Sequence, residues 1–165
     1  MKKYLFFFVF TFSLLSACTV EKSTTYYLIR HAEKNRTDKT NRNPNLNFDG
    51  EKRAQNWAEY FKDVHLDAVY STSYNRTMQT ATPASSVKEL EIQNYDPNKM
   101  YDSIFQRDTQ GKTVLIVGHS NTTPAFVNKI IGEKKYENMR DNDNASLYIV
   151  TITADKKTSR IEKIE

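Results

Sequence analysis

The sequence predicts an α/β fold of three layers, in which a mostly parallel sheet carries helices on both faces and ends in an antiparallel hairpin. Segments rich in β-branched and aromatic residues alternate with segments of helical periodicity, as in folds built on parallel strands. Residues 114–117 form an unbroken apolar run, which is typical of a central parallel strand buried on both faces. The C-terminal stretch "SLYIVTITADKKTSRIEKIE" has the pattern of two strands joined by a turn, and it supplies the antiparallel edge.

The first half of the folded region is predicted to contain a strand, a long loop, a helix and a second strand. Residues 25–29 are rich in Tyr, Leu and Ile and predict the first strand. Residues 33–47 are polar and include "NRTDKTNRNPN", which predicts a long loop, and long loops in compact domains tend to be functional or disordered. Asp49 is a fair N-cap for a helix over 50–62, and residues 67–71 predict a short strand.

Two prolines mark predicted helix boundaries in the second half of the folded region. Pro83 is predicted to end a short helix, and Pro124 is predicted to occupy the first position of another. The predicted elements are a helix over 74–83, a weak strand over 91–95, a helix opening after Pro97, the central strand, a helix over 124–131, and a hairpin with strands 146–153 and 160–164 around a turn at 155–159.

The N-terminus has the pattern of an export signal. Lys2 and Lys3 form a short basic region, and residues 4–15 are almost wholly apolar. An apolar stretch this short is typical of a signal peptide and marginal for a membrane span. Leu15-Ser16-Ala17-Cys18 then resembles the lipobox of bacterial lipoproteins, in which the cysteine is lipidated and becomes the first residue.

The predicted organisation is therefore a signal peptide over 1–18, a tether over 19–25 and a single domain over 26–165. Cys18 is the only cysteine, so no intrachain disulfide is expected. Two alternatives for Cys18 are the last residue of an ordinary signal and a buried core cysteine. The expected location is the periplasmic or extracellular face of a bacterial membrane, with the membrane contacted through the lipid at Cys18.

The overall charge gives no support to nucleic-acid binding. The chain has 24 basic and 20 acidic residues. Removal of Lys2 and Lys3 with the signal leaves 22 against 20, so the mature domain is nearly neutral. No metal site is predicted either, because the histidines and carboxylates lack ligand spacing such as H-x-x-x-H.

Three polar clusters follow predicted strands, at the sheet edge where α/β proteins bind ligands. Arg30-His31 follows the first strand, Arg76 comes just after the second, and Gly118-His119-Ser120 follows the central one. Each cluster alone has an ordinary alternative: a surface pair, a solvated helix residue, or a histidine satisfied at a strand end. Together they bring two arginines and two histidines to one edge, and the forked donors of arginine match phosphate oxygens. The sequence therefore predicts a cationic pocket of phosphate size.

The stretches "LIRHAEK", "STSYNRTMQTA" and "VLIVGHSN" resemble the three signatures of the histidine phosphatase superfamily, which has the phosphoglycerate-mutase-like fold. The resemblance runs from about residue 26 to residue 131. Within that range "LNFDGEKRAQ" resembles the helix that follows the active-site loop in this family.

The resemblance implies roles for the clustered residues. His31 would be the nucleophile that forms a phosphohistidine, with one ring nitrogen held by a backbone carbonyl so that the other can attack. Arg30, Arg76 and His119, with His31, would bind the phosphoryl group and stabilise its charge during transfer. Neither a metal nor any other cofactor is implied.

The sequence departs from the family pattern at two positions. Ala32 stands where the family usually has glycine after the nucleophile, and we expect it to be tolerated if the position does not need a positive φ. Thr37 replaces an asparagine commonly found six residues after the nucleophile. Arg36 or Asn35, in the same loop, are the candidates to replace the lost phosphate contact.

The general acid is the residue that the family pattern does not supply directly in this sequence. Many relatives use a glutamate after the third strand to protonate the leaving oxygen, whereas Glu91 lies inside the predicted strand here. Asp96, at the end of that strand, is the preferred candidate, and its alternative role is an N-cap before Pro97. Without an acid, the protein would favour good leaving groups, including phosphoramidates such as phosphohistidine.

The sequence thus predicts a metal-independent phosphatase that hydrolyses phosphomonoesters or phosphoramidates. The small mature chain has no insertion long enough for a cap domain, so an open pocket suited to a phosphoprotein or to varied small phosphoesters is expected. Two alternatives are a phosphoglycerate-mutase-type phosphotransferase and a lipoprotein that binds phosphate or a phospholigand without turnover. The sequence makes no prediction of the oligomeric state.

Overall fold

The computed structural model describes residues 22–164, which form a six-stranded mixed sheet with helices on both faces. The strands are β1 (Thr24–Arg30), β2 (Ala68–Ser71), β3 (Ile92–Asn94), β4 (Thr113–Gly118), β5 (Ser146–Ile152) and β6 (Lys157–Lys163), and the helices are α1 (Phe48–Lys62), α2 (Asn75–Val87), α3 (Ser103–Thr109) and α4 (Thr122–Ile131). The strand order is β3-β2-β4-β1-β5-β6. The first four strands of this order are parallel to one another, whereas β5 pairs antiparallel with β1 on one side and with β6 on the other. The predicted fold class is confirmed. The predicted signal peptide and Cys18 lie outside the described residues.

Each face of the sheet has its own apolar core, because successive side chains of a strand point to opposite faces. Leu28 and Ile116 contribute to a core that also contains Phe126 of α4. Their neighbours Ile29 and Leu115 contribute to the other core, with α1 and α2. Strand β4 is buried along residues 114–118, as the apolar run predicted.

Three predicted helix boundaries are wrong. Asp49 lies inside α1, which begins at Phe48 and is capped by Asn47. Helix α2 continues through Pro83 to Val87, although proline removes a backbone donor. The residues Ala84 and Ser85 after the proline are buried, and their packing offsets the lost hydrogen bond. Helix α4 begins at Thr122, so Pro124 is its third residue rather than its first.

The C-terminal hairpin has a tighter turn than predicted. The amide of Thr153 donates to the carbonyl of Lys156 at 2.9 Å, which closes the turn before residue 157. Strand β6 therefore starts at Lys157, within the segment predicted as a turn. Within residues 22–164, none of the helices is both long and apolar enough to cross a bilayer.

The long polar loop is pinned at its base close to the end of β1. Lys34 and Leu46 form an isolated antiparallel bridge, the amide of Asn35 donates to the carbonyl of Asn45 at 2.8 Å, and that of Asn47 donates to the carbonyl of Glu33 at 2.9 Å. Asn47 also caps α1, since its side chain accepts a hydrogen bond from the amide of Gly50. The loop and the start of α1 are thus one packed unit.

Gly50→Ala is expected to destabilise this unit. A methyl group at Gly50 would overlap the backbone carbonyl oxygen of Glu33, so the chain must move to accommodate it. Alanine's better helix propensity contributes about 1 kcal/mol in the opposite direction. A net loss of about 1–3 kcal/mol is expected, as for other overpacked sites. Urea unfolding measures it, with the exposed helix residue Gln55→Ala as a control, and wild-type stability of Gly50→Ala would contradict the prediction.

Candidate active site

The structure brings the three predicted clusters together at the carboxyl ends of β1, β2 and β4. Arg30 ends β1 and pairs in register with Gly118, the residue before His119. The rings of His31 and His119 lie 5.4 Å apart between centroids. Arg76, in the first turn of α2, places Nη2 3.4 Å from Nδ1 of His119. All four side chains line one cavity of about 360 Å³.

His31 is held with one ring nitrogen available. Its Nδ1 lies 2.7 Å from the carbonyl oxygen of Ala32. Because a carbonyl can only accept, Nδ1 carries the proton and Nε2 keeps its lone pair. The side-chain amide of Asn144 donates to the backbone carbonyl of His31 at 2.7 Å and fixes the main chain at this point. The hydrogen bond to a backbone carbonyl, expected from the sequence, is present.

His119 is oriented by a chain of hydroxyl groups. Since the guanidinium of Arg76 can only donate, Nδ1 of His119 is the acceptor and Nε2 carries the proton. Nε2 then donates to the hydroxyl of Thr72 at 3.0 Å, and Thr72 in turn donates to the hydroxyl of Thr77 at 3.0 Å. Thr77 completes the chain by donating to the carbonyl of Thr72 at 2.8 Å.

Both histidines are neutral near pH 7. The pKa of His31 is lowered to about 3, first by burial and then by the charge of Arg30. The hydrogen bond to the Ala32 carbonyl acts in the opposite direction. Burial also lowers the pKa of His119 to about 4, followed by the charges of Arg76 and Arg30. A neutral imidazole with a free lone pair is a nucleophile, so His31 has the protonation state that attack on phosphorus requires.

The low pKa values give a prediction with a definite sign. A histidine whose pKa is lower in the folded than in the unfolded state contributes stability above about pH 6.5, and this stability is lost as the pH falls towards 3–4. In NMR titrations, the His31 and His119 rings are expected to stay neutral down to about pH 5. Inorganic phosphate is expected to raise both midpoints, because an anion favours the imidazolium. Midpoints near 6.5 in the folded protein would contradict this.

Arg30 is engaged by the loop before β5. Its Nη1 donates to the carbonyls of Arg140, Asp141 and Asp143 at 2.9, 3.0 and 3.3 Å, and its Nη2 donates to the Asp141 carboxylate at 3.1 Å. Its Nε is buried and has no partner within the described chain. Arg30 therefore holds this loop beside His31, and its phosphate-binding role stays a prediction.

The loop residues at this site were not assigned from the sequence. Asn144 is buried at 7% exposure and supports His31, and the carboxylate of Asp141 bridges Arg30 and Arg36. The polar run 141–144 is visible in the sequence, but nothing in it indicates that this loop folds back onto β1. Hydrogen bonding to Arg36, then to Arg30, lowers the pKa of Asp141, so its carboxylate is ionised at neutral pH.

Lys34 is a further residue at the site that the sequence did not reveal as functional. It lines the cavity that contains Arg76 and His119, and also an adjoining cavity of about 570 Å³. Residues of the second cavity are mostly polar, and they include Glu33, Arg36, Asn47, Asn142 and Asn144. The two cavities meet at His31.

The two departures from the family pattern have structural answers. Ala32 has no positive φ, and its amide donates to the hydroxyl of Thr80 at 2.9 Å, so alanine fits without backbone strain. Thr37 faces a separate cavity and bonds to Asn35, so neither residue lines the His31 site. Of the two candidate substitutes, Arg36 lies at the site.

Asp96 is not brought to the cavity of His31. It lines a different cavity of about 280 Å³, and its Oδ1 accepts a hydrogen bond from the amide of Asn98 at 2.8 Å. The carboxylate thus closes a turn after β3, while the cap of α3 is Asp102. A general-acid role for Asp96 has no geometric support.

Fold and site together define a phosphoglycerate-mutase-like α/β protein, and solved structures share this fold. The protein histidine phosphatase SixA complexed with tungstate is 14% identical, with a TM-score of 0.67 over 84% of this chain and 96% of that chain. Phosphoglycerate mutase from Bacillus anthracis is 14% identical, with a TM-score of 0.63 over 88% and 94%. A mycobacterial glucosyl-3-phosphoglycerate phosphatase is 11% identical, with a TM-score of 0.64 over 86% and 98%.

The family model of the histidine phosphatase superfamily (branch 1) matches residues 26–97. The matched segment contains two of the three sequence motifs that resemble this superfamily, "LIRHAEK" and "STSYNRTMQTA". No curated protein sequence matches the chain. The structures that share the fold thus include phosphatases and a mutase.

Proposed function

We propose that this protein is a metal-independent phosphatase that hydrolyses phosphomonoesters or phosphoramidates through a phosphohistidine on His31. The observation that carries the proposal is the state of His31: buried, neutral, and held through Nδ1 so that Nε2 is free. Arg76 and His119 line the same cavity. A protein that only binds phosphate has no need of a nucleophile in this state.

The reaction has two steps. In the first, Nε2 of His31 bonds to phosphorus while the bond from phosphorus to the leaving oxygen or nitrogen breaks. The charge on the phosphoryl oxygens is stabilised by the guanidinium of Arg76, and by His119 once its Nε2–H exchanges Thr72 for a phosphoryl oxygen. The buried charge of Arg30 adds to this stabilisation. In the second step water attacks the phosphohistidine, phosphate leaves, and His31 regains its neutral form.

Turnover of an aryl phosphate in the presence of a chelator tests the proposal. The reaction is quenched in alkali, where phosphohistidine survives, and the phosphorylated residue is located by mass spectrometry. Chelator-resistant turnover with phosphate on His31 would support the proposal. Phosphate binding without turnover would favour the binding protein instead, and dependence on a bisphosphate primer would favour a mutase.

We also propose that the protein is exported and attached to a bacterial membrane by a lipid on Cys18. The support is the sequence alone: a basic start, a short apolar run and the tetrapeptide Leu15-Ser16-Ala17-Cys18. In a bacterial host, the wild-type protein is expected in the membrane fraction with a lipidated Cys18. Cys18→Ser is expected to lose the lipid. Recovery of unmodified wild-type protein from the soluble fraction would contradict the proposal.

A further inference from the structure

Lys34 lies where the two cavities of the site meet. Only three residues line both cavities: His31, Lys34 and Asp141. The side chain of Lys34 is half-buried, and within residues 22–164 it makes neither an ion pair nor a hydrogen bond. It is thus a cation beside His31 without a direct ion pair in the described chain, and Asp141 is the carboxylate that acts on it through its charge.

The carboxylates of the two cavities are already paired. Glu33 accepts from Nε of Arg53 at 2.8 and 3.0 Å. Asp141 lies 3.1 Å from Arg30 and 3.0 Å from Arg36. The hydrogen bonds from Arg36 and Arg30 lower the pKa of Asp141, so this carboxylate has no proton to give, and the Glu33 carboxylate is occupied by Arg53. Among the described residues of these cavities, none offers the carboxylic acid that would normally protonate a leaving oxygen.

Apart from the arginines and the two histidines, Lys34 and Tyr74 are the titratable proton donors of this cavity, whose lining also includes the hydroxyl groups of Ser120 and Thr122. Tyr74 packs its ring face against the guanidinium of Arg76 at 4.4 Å and its edge against His119 at 5.1 Å. It is therefore part of the wall that supports the phosphate-binding groups. Lys34 instead lies at the junction with the larger cavity, into which the rest of a substrate can extend.

The surroundings of Lys34 favour release of its proton. Burial, followed by the positive charges of Arg76 and Arg36, lowers the pKa of its ammonium group. This lowered pKa makes the ammonium group of Lys34 a stronger acid than that of an ordinary lysine. The same arginines keep their own protons, because guanidinium stays charged throughout this range.

We propose that Lys34 is a catalytic residue, the general acid that protonates the leaving group. The inference rests on the proposed function. As Nε2 of His31 bonds to phosphorus and the bond to the leaving oxygen breaks, a proton moves from Nζ of Lys34 to that oxygen, which departs as an alcohol. When water attacks the phosphohistidine, its proton passes to the neutral amine of Lys34, and phosphate leaves with both residues restored.

The role predicts how activity varies with the leaving group. Alkyl phosphates such as phosphoserine or glycerol phosphate leave as poor, strongly basic groups and need the proton most. For Lys34→Met, kcat/KM with an alkyl phosphate is expected to fall by roughly 10²–10⁴-fold, and by tenfold or less with p-nitrophenyl phosphate. With the alkyl substrate, the alkaline limb of the wild-type pH profile is expected to disappear in Lys34→Met.

Lys34→Arg separates the proton from the charge. Arginine keeps the positive charge but does not release its proton, so it is expected to show the same leaving-group dependence as methionine. Lys39→Met, an exposed lysine of the same loop that lines neither cavity, is the matched control and is expected to behave like the wild type. Circular dichroism checks that each variant is folded.

Two outcomes would overturn the role of Lys34. One is a loss of activity in Lys34→Met that is equal for all leaving groups and is recovered in Lys34→Arg. That result would mean that Lys34 serves only as a positive charge that binds phosphate. The other is wild-type kinetics in Lys34→Met. Failure of the proposed function would look different, because the wild-type protein itself would then form no phosphohistidine with p-nitrophenyl phosphate.

Discussion

His31→Ala is expected to abolish turnover of every phosphorylated substrate, with kcat falling by roughly 10⁴–10⁶-fold, as when the nucleophile of a covalent mechanism is removed. In the proposed mechanism this side chain supplies the atom that bonds to phosphorus, and no other described residue of the cavity has an unprotonated ring nitrogen in the same position. His119 accepts from Arg76 and donates to Thr72, so both of its nitrogens are engaged. No phosphorylated protein should be trapped in the variant.

The variant should fold, which makes the result interpretable. The contacts that fix this stretch use the backbone: Asn144 donates to the carbonyl of His31, and Thr80 accepts from the amide of Ala32. Removal of the ring also removes a buried group that resists protonation, so stability at acidic pH should not fall. His65→Ala, at a histidine whose side chain is 76% exposed, serves as the matched control. Activity that survives His31→Ala would overturn the mechanism.

Arg76→Ala is expected to lower kcat by roughly 10²–10³-fold, the cost of losing one strong donor to developing charge. Arg76 lies against His119 and under the ring of Tyr74, so its position is defined in the absence of substrate. Its Nε is buried and has no partner in the described chain, which leaves a donor for a phosphoryl oxygen. Arg76→Lys keeps the charge but loses the planar fork, and an intermediate loss is expected.

Steady-state kinetics with an aryl phosphate, together with inhibition by inorganic phosphate, measure the effect of Arg76. The matched control is Arg42→Ala, because Arg42 is exposed and contacts Arg76 through its backbone carbonyl alone. A rise in KM with unchanged kcat would mean that Arg76 binds ground state and transition state equally. That outcome would contradict the role in transition-state stabilisation.

The core of the site could be predicted from the sequence because it depends on two buried strands. Apolar runs identify β1 and β4, and neighbouring parallel strands place the residues that follow them at one edge. Arg30-His31 and His119 therefore had to lie near each other once the fold class was correct. Arg76 followed from the same rule, since it comes just after β2.

The supporting residues could not be predicted in this way. Asn144 is 113 positions from His31 in sequence, and a polar loop carries no periodicity that indicates which element it will contact. The sequence did not indicate a role for Lys34 for another reason, since a lysine in a charged loop is usually solvated. Asp96 was predicted to lie in the site because it follows β3. Its carboxylate instead accepts a hydrogen bond from the amide of Asn98 within a local turn.

The dependence of the nucleophile on the loop before β5 has a consequence for biosynthesis. Arg30, His31, Arg76 and His119 are all made before residues 140–144, so Arg30 and the His31 carbonyl gain their partners only when that loop has been synthesised. Strand β5, which pairs with β1, follows immediately. A nascent or prematurely ended chain therefore carries all the reactive groups without the support that positions them, and catalytic competence comes late in synthesis.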